Sequence, residues 1–325
     1  MRNRFSFFNG STKWWGMPLC FFLLSLGTLT DLPHPPSTMD GAALAAPASP
    51  QLANEEPAAR AWLALREKER GEFKKLAEGT YLIKSSPALE KAGDSSEMND
   101  VWTLWKLENG DFQVDGEFRA SRNGKEAATD YQVNLNPQMQ LQTYKIFAKK
   151  LVSGCVWTAA RLYCQETFGG GDVEGSAGAS INNSTRLFAP TFPFLLSGLT
   201  PNLKIQPGKA TYLTLLSLSY SDEARALIHL FPEYAAVRLV RPVTSSVGAT
   251  NLAGSEFQLD VREIPDATYT SIQNPVIPPD PGHKNQYRPF FKFQVAANGI
   301  LLSASDAVTQ TEFIRLVQFK KFEDF

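Results

Sequence analysis

The chain has 325 residues, of which 43% are hydrophobic and 20% are charged, and its formal net charge is −1. This hydrophobic content is enough for a large packed core. The near-neutral charge argues against a nucleic-acid-binding protein, because such proteins normally carry a basic surplus that displaces counterions from phosphates.

The N-terminal segment 1–45 has the layout of a secretory signal peptide. Arg2, Arg4 and Lys13 precede an apolar stretch that ends at Leu29, and Ala43 begins an A-x-A cleavage site. The apolar stretch is shorter than the roughly 20 residues that span a bilayer. We therefore expect cleavage and export to the periplasm or the extracellular space, with no transmembrane helix after processing. An uncleaved anchor with a proline-rich tether is the alternative.

A Pro/Ala-rich leader over residues 46–54 precedes a predicted amphipathic helix, which Asn54 can cap and Gly79 can end. Mixed charges on its polar side favour packing against a sheet, and peripheral contact with a membrane surface is the alternative. The apolar stripe at helical spacing consists of Ala58, Trp62, Leu65, Phe73 and Leu76.

Three Asn-Gly pairs lie between runs that are typical of β-strands, at residues 109–110, 123–124 and 298–299. This dipeptide is the strongest short-range signal of a β-hairpin, and its usual turn is type I′, with positive φ at both central residues. The pairs predict tight reversals between neighbouring strands and hence an antiparallel sheet.

From Thr80 onward the hydrophobic period changes to two. Phe112 and Val114 alternate with Gln113 and Asp115, which predicts a sheet with one buried face and one wet face. The segment around Trp102 is apolar on both faces and is predicted to be a central or covered strand. The predicted strands of this meander are Thr80–Lys84, Asp100–Leu107, Asp111–Ala120, Ala127–Leu135, Met139–Ala148, Leu151–Trp157 and Arg161–Glu166.

Two cysteines remain after removal of the signal segment, and their positions predict a disulfide. If Val156 pairs with Tyr163 across a turn, Cys155 lies directly opposite Cys164. Opposed Cβ atoms of an antiparallel pair lie about 4.5–5.5 Å apart, which is close to what a disulfide needs. Two free buried thiols are the alternative.

Segment 169–185 is rich in Gly, Ser and Ala and predicts a mobile loop or a boundary. Residues 55–325 therefore form either a single β-rich domain or two coupled halves, 55–168 and 186–325. Within the second half, Asp222–Leu230 predicts a short helix and Pro275–Pro289 an extended excursion. The predicted strands of that half are Thr211–Tyr220, Ala235–Arg241, Glu256–Ile264, Pro289–Ala296, Ile300–Ala304 and Thr311–Phe322.

Candidate catalytic groups are few. His229 lies in an apolar run and is predicted to be a half-buried structural residue, and His283 follows Asp280 in the proline-rich excursion. No serine sits in a Gly-x-Ser-x-Gly turn, and two distant histidines make a poor zinc site. Acidic residues on one face of a strand are typical of solvation; these are Asp111, Asp115 and Glu117. We expect no catalytic residue, no metal and no cofactor.

Aromatic side chains of the first strands suit either a core or a ligand cavity. A single curved sheet with one or two helices cannot bury every apolar face, so it leaves a dry pocket or a partner site. The candidate ligand-binding residues are Trp102, Trp105, Phe112, Phe118 and Tyr131.

The sequence thus predicts a mainly β protein: a large curved antiparallel meander or half-open barrel, with an N-terminal amphipathic helix and a short internal helix. This layout, over residues 55–325, resembles the LolA/LolB-like periplasmic lipoprotein carriers and related glycolipid-binding β-clam folds. The resemblance implies a curved sheet that wraps helices and holds acyl chains between them.

The function expected on these grounds is that of an exported, non-enzymatic protein that binds a hydrophobic or glycolipid-like ligand on the concave face. An envelope structural or assembly protein that binds a protein partner is the main alternative, and a secreted hydrolase is the third.

Overall fold

The computed structural model describes residues 74–84, 97–122, 125–148, 151–158, 161–168, 172–188, 192–200, 205–220, 228–263, 287–323 and 325. Within them the chain is mainly β, with fifteen strands and one short helix, α1 (Pro193–Ser197). The strands before α1 are β1 (Lys74–Lys84), β2 (Glu97–Lys106), β3 (Phe112–Arg122), β4 (Lys125–Leu135), β5 (Leu141–Ala148), β6 (Leu151–Trp157), β7 (Arg161–Phe168), β8 (Asp172–Ser180) and β9 (Thr185–Phe188). Those after it are β10 (Ala210–Tyr220), β11 (Ile228–Val247), β12 (Thr250–Glu263), β13 (Arg288–Ala296), β14 (Leu301–Asp306) and β15 (Glu312–Lys321).

All fifteen strands belong to one sheet, in the order β8-β7-β6-β5-β4-β3-β2-β1-β15-β14-β13-β12-β11-β10-β9. Two meanders meet where β1 pairs antiparallel with β15, so the first and last described strands lie at the centre of the sheet. The neighbours are antiparallel except β9 and β10, which are parallel. The predicted antiparallel meander is therefore confirmed.

The sheet is strongly curved but not closed. Strands β8 and β11 lie beside each other, although they are not hydrogen-bonded neighbours. Bulges accompany the curvature; β1, for example, shifts register at Thr80/Tyr81 against β15 and at Lys75/Ala77 against β2. A bulge bends a strand and increases its twist, which lets a wide sheet curl. The inner face of the curl holds the core.

Tight reversals are present, but their turn type differs from the prediction. Leu107 and Asp111 pair across a three-residue loop in which Gly110 alone has positive φ, at +88°. Gly299 occupies the same position in the loop between Ala296 and Ile300, with φ at +84°. Asn109 and Asn298 are not left-handed, so these are type I turns followed by a left-handed glycine, not type I′ turns. The pair 123–124 lies outside the described residues, between the paired residues Arg122 and Lys125.

Three sequence predictions are wrong in the described part of the chain. Segment 172–180, expected in a loop, is the edge strand β8. The predicted N-terminal helix does not reach Gly79, because Lys74–Lys84 is extended. The predicted helix Asp222–Leu230 is strand from Ile228 onward. Residues 1–73 and the excursion 275–286 lie outside the described residues.

The disulfide prediction is confirmed. Cys155 on β6 and Cys164 on β7 are paired directly in the register and joined by a sulfur–sulfur bond. The register also places Val156 opposite Tyr163, as the sequence predicts. No helix in the described part of the chain is long and apolar enough to cross a membrane.

Candidate functional site

The inner face of β1–β5 is covered by one short segment, Phe192 followed by α1. Every residue of α1 is buried, and Pro193 stands at its first turn, where a missing N–H costs no helical hydrogen bond. Four of its five side chains are apolar, and the Ser197 hydroxyl donates to the Phe194 carbonyl within the helix, so α1 needs apolar surroundings. It finds them inside the curl, where it packs against β9 and β14 as well.

Phe192 packs edge-on against three rings of neighbouring strands. Its ring centroid lies 4.8 Å from that of Phe118 and 5.2 Å from that of Tyr144. The Tyr131 ring stacks on Phe118 at 4.7 Å and lies 6.3 Å from the ring of Phe192. The edge-to-face arrangement is the favourable one for aromatic rings.

Phe194 repeats this arrangement on the next pair of strands. Its ring lies edge-on to Trp102 at 5.1 Å and to Tyr81 at 6.1 Å. Tyr81 and Trp102 are themselves stacked at 5.9 Å across β1 and β2. Phe192 and Phe194 thus contact inward-facing rings on five strands, and we call them the phenylalanine plug.

Glycines under the large rings make the close packing possible. A Cβ on Gly116 would overlap the ring of Tyr131, its direct partner on β4, and a Cβ on Gly79 would overlap Trp102. Each ring therefore lies over a neighbouring strand, and we call these two rings, together with those of Tyr81, Phe118 and Tyr144, the aromatic surface of the inner face.

Asp100 lies within this aromatic surface and is fully buried. The Tyr131 hydroxyl donates a 2.8 Å hydrogen bond to Asp100 Oδ1. Burial raises the pKa of Asp100 to about 8, although the bond from Tyr131 acts in the opposite direction. Near neutral pH the carboxyl is therefore mostly protonated.

The neighbouring phenols respond to the same environment. Tyr81 on β1 is paired directly with Asp100 on β2. Burial raises the pKa of Tyr81, and the negative charge of Asp100 raises it further. The Leu301 main chain lowers that pKa but forms no hydrogen bond of regular geometry with the Tyr81 hydroxyl. The pKa of Tyr131 is raised for the same two reasons, so both phenols stay neutral.

Two further polar atoms of this surface have no hydrogen-bond partner among the described residues: Asp100 Oδ2 and Trp102 Nε1. Buried polar groups are nearly always hydrogen-bonded, because an unmade bond costs about 1–3 kcal/mol. The interior therefore combines a large apolar surface with a few convergent polar groups, as small-molecule sites do. We call Asp100, Tyr81, Trp102 and Tyr131 the inner polar cluster.

The structure brings together three of the five aromatic residues that the sequence selects. Trp102, Phe118 and Tyr131 lie under the phenylalanine plug. Phe112 lies on the same face of β3 and is partly buried against the core. Trp105 points to the opposite face from Trp102, since residues three apart on a strand alternate.

Sequence reasoning missed Asp100, Tyr81, Tyr144 and both plug residues. The alternation on β2 could have indicated Asp100, because it shares the face of Trp102 and Leu104. Nothing in the sequence indicates that Phe192 and Phe194 reach β1–β5.

On the outer face, one acidic residue differs from the expectation. Asp115 is only 8% exposed and accepts bonds from Gln113 at 3.0 Å and Gln132 at 3.2 Å. It is thus held in a buried amide network, because its neighbours on β3 and β4 supply donors. Glu117 pairs with Arg119 near the surface, as expected of a solvated position.

The histidine predictions receive only a partial answer. His229 lies on β11 opposite Ser219, and its side chain is outside the described part. His283 and Asp280 also lie outside it. Among the described residues, no group of three His, Cys, Asp or Glu side chains could hold a metal ion.

No protein-family model matches the chain, and no curated protein matches it. A solved structure, described as the crystal structure of a beta-barrel-like protein of domain of unknown function DUF1849 from Brucella abortus, matches with 10% sequence identity and a TM-score of 0.41. The match covers 77% of this chain and 98% of that chain.

Proposed function

We propose that this protein is an exported, non-enzymatic binding protein that holds a hydrophobic ligand against the concave face of β1–β5. The observation that carries the proposal is the phenylalanine plug. One short segment contacts inward-facing rings on five strands, so a ligand that displaced it would gain contact with those rings.

The composition of the surface supports an amphiphile or glycolipid-like molecule as the ligand. The rings of Trp102, Phe118 and Tyr131 offer apolar area, and burying such area is worth roughly 25 cal/mol per Å². Polar atoms that lack partners in this structure could be satisfied by a ligand head. A carrier of this kind needs no catalytic residue.

Export is supported by two observations. The disulfide between Cys155 and Cys164 is typical of oxidising compartments. The N-terminal sequence has the layout of a signal peptide, with Arg2 and Arg4 ahead of an apolar stretch.

The plug can be tested with Phe194→Ala, which removes the ring from the surface of Trp102 and Tyr81. We expect this variant to bind the neutral apolar dye N-phenyl-1-naphthylamine about tenfold more tightly than the native protein, because about 1.4 kcal/mol less plug contact must be displaced. The measurement is a fluorescence titration.

Phe293→Ala is the matched control. Phe293 is equally buried but stacks on Phe257 in the other half of the sheet, so its loss should leave dye affinity unchanged. Absence of dye binding in all three proteins, together with no lipid in denaturing extracts of purified native protein, would overturn the proposal.

A further inference from the structure

Asp100 is the one acidic side chain among the described buried residues on the inner face of β1–β5. No basic side chain is found among those residues. Lys145 is buried on β5 but is adjacent in sequence to Tyr144, which faces inward, so it lies on the opposite face. A positive charge for Asp100 would have to come from outside this set of residues.

One oxygen of the Asp100 carboxyl group is available to such a partner. Tyr131 fixes Oδ1 through its hydrogen bond, and Oδ2 is left without a donor. A buried ionised carboxylate is costly unless a counter-charge or several donors satisfy it. One ammonium group on Oδ2 would supply the counter-charge and the N–H donors.

The surroundings also favour a cation. Phe194 lies edge-on to Tyr81 and Trp102, so an ammonium group that entered as the plug left would meet aromatic rings, whose faces attract ammonium groups within about 6 Å. Among the described residues, the titratable groups next to Asp100 are the phenols of Tyr81 and Tyr131, and Tyr144 interacts in turn with Tyr131. Neither α1 nor Leu301 of β14, which lies close to Tyr81, brings a titratable side chain.

Resting on the proposed function, we propose that the inner polar cluster is a head-group subsite that takes the protonated amine of an amphiphile, with Asp100 as its counter-ion. The alkyl part of the ligand takes the place of the phenylalanine plug. A carboxylate head is disfavoured, because no basic side chain among the described buried residues of this face would compensate its charge in a desolvated site.

Binding of the amine changes the protonation of Asp100. Without ligand the carboxyl is mostly protonated near neutral pH, and with an ammonium on Oδ2 the ionised form is favoured. The carboxyl proton passes to solvent as the ammonium enters, so no other co-reactant is needed. Affinity for the amine should therefore rise with pH up to about 8 and then level off.

The test uses dodecylamine, dodecanol and dodecanoate, which share one alkyl chain, in calorimetric titrations below the micellar concentration of the charged compounds and below the solubility limit of the alcohol. We expect the native protein to bind dodecylamine at least about tenfold more tightly than dodecanol near neutral pH. Asp100→Asn should abolish this preference, so that the variant binds dodecylamine no more tightly than dodecanol. Asp115→Asn, which alters a buried carboxyl on the outer face of β3, should retain the preference.

A second measurement uses the native protein alone. Titrations in buffers of different ionisation enthalpy should show release of close to one proton per dodecylamine and none per dodecanol. Equal affinity for the amine and the alcohol, a preference that survives Asp100→Asn, or absence of proton release would overturn the head-group inference while leaving the proposed function standing. Failure of all three amphiphiles to bind would overturn both.

Discussion

At the scale of single residues, the packing of the inner face depends on positions where a side chain would not fit. Gly116 lies directly beneath the ring of Tyr131, whose hydroxyl is bonded to Asp100. The ring cannot move without breaking that bond. We expect Gly116→Ala to lower the free energy of unfolding by about 2–3 kcal/mol, the upper part of the range for overpacking, as measured by urea denaturation.

A double-mutant cycle separates this clash from loss of strand propensity. In a Tyr131→Ala background, Gly116→Ala should cost much less, because the overlapping ring is gone. Equal costs in both backgrounds would show that the ring and the glycine are not coupled.

Asp100 should make stability depend on pH. Its folded pKa is about 8, above the unfolded value of about 3.9, so the native state holds a proton that the unfolded chain releases between these values. This contribution is complete below the unfolded pKa and is lost as pH rises through the folded pKa. Within the window the slope contributed by Asp100 approaches about 1.4 kcal/mol per pH unit.

The check is the difference between native protein and Asp100→Asn in urea denaturation at several pH values from about 4 to about 9. The native curve should fall more steeply with rising pH than that of the variant. Parallel curves would contradict a buried, mostly protonated carboxyl. The comparison removes the contribution of the other titratable groups, which the two proteins share.

The candidate site could be predicted from the sequence only in part, because alternation within one strand indicates which side chains face inward but not which distant residues they contact. Alternation places Trp102, Phe118 and Tyr131 on inward faces, because period two is fixed by strand geometry. Asp100 follows the same alternation, but an acidic residue at an inward position contradicts the hydrophobic pattern from which a core is inferred. Partners that come from distant segments, such as Phe194, leave no periodic signal on β1 or β2.

At the scale of elements, clear alternation predicts β3 and β4 to within two residues at each end, whereas β12 begins six residues before its predicted start and β8 is not predicted at all. Its sequence between Asp172 and Ser180 is rich in Gly, Ala and Ser, which have little β-propensity. Its extended form is supported instead by eight paired positions on β7. The turns show the same limit, since Asn-Gly indicates a reversal but loop length decides its type.

The disulfide between β6 and β7 stabilises the part of the sheet on which β8 depends. Cys155 and Cys164 are nine residues apart, and closing so short a loop is worth about 2–3 kcal/mol. We expect the Cys155→Ala, Cys164→Ala double variant to lose about this much in urea denaturation, and amide exchange to increase first in β8.

Reductant provides the control for that prediction. It should lower the denaturation midpoint of the native protein and leave that of the double variant unchanged. An identical midpoint for the two proteins without reductant would show that the bond adds nothing to equilibrium stability.

At the scale of the whole molecule, the sheet order could not be predicted from the sequence. Hairpins fix only neighbours along the chain, whereas the pairing of β1 with β15 joins residues such as Ile83 and Ile314. That pairing places the two sheet edges, β8 and β9, in the middle of the chain. The link between them runs through Asn182 and Asn183, which are both exposed.

This topology predicts that the chain can be cut at the β8–β9 link without falling apart. A protease site inserted between Asn182 and Asn183 would separate two meanders that still share the β1–β15 pairing. They also share the plug, because Phe194 follows the cut and Trp102 precedes it. We expect the cleaved halves to co-elute in gel filtration and to retain a cooperative thermal transition. The uncut insertion variant controls for the insertion itself, and separation of the halves after cleavage would show that the long-range pairing is too weak to hold the sheet together.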